Sequence, residues 1–110
     1  MTTIVIQKTK TGSYRGFTCM GHAGFAKKQG ADVLCAAIST LTISTANALE
    51  ELAKEKVSSV TNEETGFLKV EFESELQERS AFLMDAMVYS LEKLSQEYGK
   101  KYLQIKFEEV

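Results

Sequence analysis

Apolar residues recur first at every second position and then at helical spacing. Ile4, Ile6 and Lys8 fall on one side of an extended run, with Val5 and Gln7 on the other, which predicts a short strand. Lys10-Thr11-Gly12-Ser13 reads as a turn. Tyr14 to Met20 alternates loosely around Gly16, placing Phe17 and Cys19 on one face and Thr18 and Met20 on the other, so the two runs predict a hairpin. From Val33 the period changes: Leu34, Ile38, Leu41, Thr45, Leu49 and Leu52 form one helical stripe. Ala, Ser and Thr fill much of the remainder, which predicts a central helix buried on more than one side.

A second hairpin is predicted from Val57–Thr61 and Phe67–Phe72, joined by Asn62-Glu63-Glu64-Thr65-Gly66, with Leu68, Val70 and Phe72 facing inward. Ser74 and Gln77 match a capping box. Leu83, Met87, Leu91, Leu94 and Tyr98 then lie on one stripe that Gly99 can terminate. Leu103, Ile105 and Phe107 alternate with Gln104, Lys106 and Glu108 in a final half-exposed strand. The order ββαββαβ predicts an α+β domain: an antiparallel sheet of about five strands with both helices packed on one face. Two hairpins, each followed by a helix, look like a duplicated architecture, although no residue-level repeat accompanies it.

Composition narrows the picture. The 110 residues suit one domain, 1–110, able to bury ~65% of its unfolded surface without disulfide or metal. Thirteen basic against fifteen acidic residues give a net charge of −2, which argues against a dedicated nucleic-acid binder. The N-terminus lacks the pattern of an export signal, and no later run approaches membrane-spanning length, so a cytoplasmic protein without a membrane partner is expected. In that compartment the two cysteines are expected as free thiols.

The candidate chemistry lies between the second strand and the central helix. His22, the only histidine, follows the strand, and Cys35 falls in the first turn of the helix. Unpaired N–H groups and the dipole at a helix start favour thiolate over thiol, and a nearby imidazole would hold it as an ion pair. Asp32 is placed to cap the helix and, as a second role, to orient His22. Ser39 lies one turn beyond Cys35 on the same face, as a hydrogen-bonding or a close-packing residue. The loop between, bounded by Gly24 and Gly30, carries Lys27, Lys28 and Gln29 with Phe25 as its bulky apolar residue. It is expected to act as a gate over 23–31. Cys19, His22 and Cys35 do not make a four-ligand zinc site, and no metal or cofactor is expected.

The pattern Gly21-His22-Ala23 followed by Gly30-x-Asp32-x-x-Cys35-Ala36-x-x-Ser39 resembles the ribosomal-processing cysteine protease family, called Prp. The resemblance is specific from Gly21 to Ser39 and covers nearly the whole chain in length and element order. It implies a cysteine endopeptidase with His22 and Cys35 as the catalytic pair and Asp32 and Ser39 at the motif's other polar positions. It also implies a homodimer, and a protein substrate: the N-terminal extension of large-subunit ribosomal protein twenty-seven, cut after an apolar, aromatic-bearing segment during ribosome assembly. Two other classes stay open on the residues alone. One is a ribosome-associated binding module with structural Cys and His; the other is a thiol redox sensor in which Cys19 resolves an oxidised Cys35.

Overall fold

A computed structural model describes residues 1–21 and 33–110. Its elements are β1 (Thr2–Lys8), β2 (Tyr14–Met20), α1 (Val33–Asn47) continued by a π-helical turn (Ala48–Leu52), β3 (Val57–Asn62), β4 (Phe67–Phe72), α2 (Glu78–Tyr98) and β5 (Leu103–Glu109). The strands form one sheet in the order β3-β4-β2-β1-β5. The expected α+β architecture and the ββαββαβ order are therefore present.

Alternation sets the inner face. Ile4 pairs with Cys19 and Ile6 with Phe17 across β1 and β2, and Cys19 and Phe17 pair in turn with Leu68 and Val70 of β4. A register shift at Gln7/Lys8 brings Tyr14 opposite Lys8, which keeps Tyr14 inward although its parity is opposite to that of Phe17. Sheet residues Ile4, Ile6, Phe17, Val70, Phe72 and Leu103 join helix residues Leu34, Ile38, Leu49, Met84, Met87 and Leu91 in one core, so both helices cover the same face. One pairing is parallel. After β4, the 21 residues of α2 carry the chain ~30 Å back across the sheet, and β5 then runs alongside β1 in the same direction.

Several details differ from the sequence expectations. The inner stripe of α1 is Leu34, Ile38, Thr42 and Ala46 rather than the drifting set through Leu41 and Thr45. The wide turn that follows, closed by Ala53 N–H donating to the Ala48 carbonyl, leaves Leu52 77% exposed and turns Ala53 inward. Second, α2 begins at Glu78, not after Ser74, and Gln77 makes no side-chain cap. Its backbone N–H donates instead to the buried Glu55 carboxylate at 3.0 Å, so a residue from the loop after α1 serves the helix start. Third, Val33–Leu52 is long and apolar enough to span a bilayer by length and composition, contrary to the expectation that no run approaches that length. Here Leu34, Ile38 and Leu49 of that helix are buried in the domain core.

Candidate active site

Topology brings several chain ends together. β1 starts, β2 ends, β3 ends and β4 starts at one end of the sheet, and α1 starts there too. Where α1 leaves the hairpin β3–β4 uncovered, a cavity of about 320 Å³ opens. Cys35, Ile38, Ser39, Thr42 and Ile43 of α1 form one wall. Thr61, Asn62, Glu63, Gly66, Phe67 and Leu68 form the other, and Thr2, Cys19 and Gly21 form the floor.

Two of the four expected site residues are thus placed on one cavity. Cys35 is half-buried and Ser39 exposed, as one helical turn of separation on a shared face requires. Cys35 is the third residue of α1, within the first turn, whose N–H groups have no partner inside the helix. His22 and Asp32 lie outside the described residues, as does the expected gate over 23–31. Gly21, the residue before His22 in the sequence, lines the cavity. Gly21 has φ +87°, and a Cβ there would come within 2.6 Å of the Met1 carbonyl oxygen, so glycine is required where β2 ends against the start of β1. The Thr2 hydroxyl, buried beside it, donates to the Gly21 carbonyl at 3.5 Å.

The two thiols differ in environment. Neither is in a disulfide. Cys19, on the inner face of β2, is 8% exposed, and burial, followed by the influence of Cys35, pushes its pKa up to about 11. At neutral pH it is a neutral thiol and a poor nucleophile. Cys35 sits on the open cavity wall at a helix start, where attack on a bound substrate is sterically possible. No group of three or more metal-binding side chains occurs among the described residues.

The walls contributed by β3, β4 and their turn were not singled out from sequence as parts of the site. The turn itself was legible. Asn62 Oδ1 accepts from the N–H groups of Glu64 and Thr65, and the loop proper is 63–66, one residue shorter than expected because Asn62 pairs with Phe67. Nothing local announces that this turn stands opposite Cys35.

A thiol outside any disulfide, at a helix start on an accessible, largely apolar cavity, is the equipment of a cysteine-dependent hydrolase. Comparison with known proteins makes the assignment specific. The model of the family "Cysteine protease Prp" matches residues 1–104, and the chain belongs to that family. It is therefore a cysteine protease. Among solved structures, the chain is similar to the essential ribosomal processing protease Prp from S. aureus in complex with a covalently linked product peptide, with TM-score 0.89, 20% identity, and coverage of 98% of this chain and 100% of that one. It is similar to SMU.848 from Streptococcus mutans, with TM-score 0.85, 27% identity, and coverage of 100% and 96%. The S. aureus protease in complex with a substrate peptide matches with TM-score 0.85 at 19% identity over 98% and 100% of the two chains. No curated protein matches the chain.

Proposed function

We propose that this protease removes the N-terminal extension of large-subunit ribosomal protein twenty-seven, with Cys35 as nucleophile and His22 as its acid–base partner. The observation that carries the reading is the placement of Cys35. It is the one thiol both accessible and at a helix start, on a cavity walled by Ile43, Phe67 and Leu68, which suits an apolar segment before the cut.

In this mechanism the Cys35 thiolate attacks the scissile carbonyl, and its C–S bond forms as the carbonyl π pair moves to oxygen. N–H groups of the first turn of α1 stabilise that oxyanion. The tetrahedral species collapses, the C–N bond breaks, and the His22 imidazolium gives its proton to the leaving amine. A water molecule then loses a proton to His22 and attacks the thioester, releasing the carboxylate product and regenerating the thiolate–imidazolium pair. In the same reading Asp32 is the helix cap, with orientation of His22 as the alternative role, and Ser39 contributes a hydroxyl on the cavity wall one turn from the thiol. The reaction uses no cofactor. Cytoplasmic location and a homodimer complete the proposal, on the strength of family membership alone.

The test is incubation with ribosomal protein twenty-seven from the same organism and mass spectrometry of its N-terminus. One discrete shortened species is expected, produced much faster than fragments of an unfolded casein chain. Equal rates on both would contradict the substrate assignment while leaving the protease activity in place.

A further inference from the structure

The β3 edge of the sheet is open, and its pairing shows which backbone groups are free. Glu73 N–H donates to the Lys56 carbonyl at 3.0 Å. Lys56 and Glu73 extend the antiparallel register of β3 with β4 by one position beyond Val57↔Phe72. Hydrogen-bonded pairs alternate along such a ladder, so Ser58, Val60 and Asn62 turn their N–H and C=O toward β4. Val57, Ser59 and Thr61 therefore turn theirs outward, and β4 is the one strand that pairs with β3 among the described residues.

The two edges of the sheet are unlike. β5 carries Lys106, Glu108 and Glu109, all exposed, the usual protection against strand addition. β3 reads Val-Ser-Ser-Val-Thr-Asn, exposed from Ser58 onward and without charge or proline. The unguarded edge is also the one that ends at the cavity: Thr61 and Asn62 belong both to β3 and to the wall facing Cys35.

We propose that β3 is the substrate-docking edge, pairing with an extended stretch of the polypeptide as a sixth strand whose continuation enters the cavity. The proposal rests on the protein-substrate reading above and adds where the chain is held. A strand beyond β3 lies three inter-strand spacings from β2, or ~14 Å from the floor that Cys19 forms, which an extended chain spans in about four residues. The paired stretch thus begins about four residues from the point where the chain would reach the cavity floor. Backbone pairing supplies affinity with little dependence on side chains, while the cavity supplies selectivity, the division of labour usual in strand addition.

The geometry gives a clean perturbation. Ser59→Pro deletes an outward N–H and no ladder bond, so the fold should tolerate it, whereas Val60→Pro removes a bond to β4 and should lower the melting temperature. Ser59→Ala keeps the N–H and controls for the hydroxyl. Cleavage is measured on two synthetic peptides: one reaching three residues either side of the cut, and one extended to ten. The wild-type enzyme should show a lower KM for the longer peptide. Ser59→Pro should erode that advantage about five-fold, the worth of one backbone hydrogen bond, and Ser59→Ala should preserve it. A length advantage identical in wild type and Ser59→Pro would overturn the proposal. So would a Ser59→Pro effect seen only as a change in oligomeric size, which would make the edge a contact between copies. If the ribosomal sequence is not cut at all, the substrate assignment fails separately, and the same two lengths drawn from a polypeptide that is cut decide the edge.

Discussion

Cys19 and Cys35 should separate cleanly by alkylation in the folded protein. Cys19 is 8% exposed and its pKa stands at about 11 against an ordinary 9.0. Two units mean that at pH 7.5 its thiolate fraction is about one hundredth of that of an unperturbed thiol, and steric burial slows reaction further. Iodoacetamide at pH 7.5 should therefore add one equivalent at Cys35, and Cys19 should react at least ~100-fold more slowly than free cysteine until denaturant is added. In Cys35→Ala the folded protein should take up almost no label, because Cys19 stays slow. That substitution removes the smaller cause of the shift and leaves burial, the larger one, in place. The assay is intact-mass and peptide mass spectrometry over a time course. Comparable labelling of both thiols in the folded protein would refute the assigned environments and reopen a resolving role for Cys19.

Glu55 accepts from Gln77 N–H at 3.0 Å and from Gln77 Nε2 at 3.3 Å. Burial opposes its ionisation, but the Ser80 hydroxyl, Gln77 and the Arg79 charge together hold its carboxyl below the ordinary 4.5. Its contribution is therefore present above pH 4.5 and lost as pH falls through the lowered value. Glu55→Gln should cost about 1–2 kcal/mol at pH 7, or roughly 4–8 °C, with the difference from wild type shrinking as pH falls through the lowered value, as read by thermal circular dichroism. Buried Tyr14 donates its hydroxyl to Asp85 and ties β2 to α2, so Tyr14→Phe should cost about 1.5–3 kcal/mol in denaturant unfolding and leave peptide cleavage at 25 °C intact. Gly21→Ala should lower both melting temperature and kcat, because it strains φ +87° and collides with the Met1 carbonyl directly before His22.

Much of the fold was legible because one face of the sheet is buried. Ile4, Ile6, Phe17, Cys19, Leu68, Val70 and Phe72 all keep the parity that alternation predicts. Features set by distant partners were not legible. The start of α2 is served by Glu55, 22 positions before Gln77, so the local Ser74/Gln77 signal pointed too early. Leu52 fits a regular helical stripe, and only the π-helical turn takes it outward. The parallel place of β5 depends on where α2 delivers the chain, which no strand pattern encodes. In the site, Cys35 and Ser39 could be paired by helical spacing alone. The opposite wall from β3 and β4 is brought there by sheet order and carries no sequence signal beyond its turn.

The central claim is that Cys35 performs the cleavage, and the most direct measurement is turnover by Cys35→Ala on the substrate that the wild-type enzyme cuts, alongside circular dichroism of both. Cys35 is half-buried on a cavity wall, so its replacement should leave the unfolding free energy within about 1 kcal/mol of wild type. Product formation should fall by at least ~10³-fold, the loss expected when the nucleophile of a covalent mechanism is removed. Wild-type turnover by a folded Cys35→Ala protein would contradict the account.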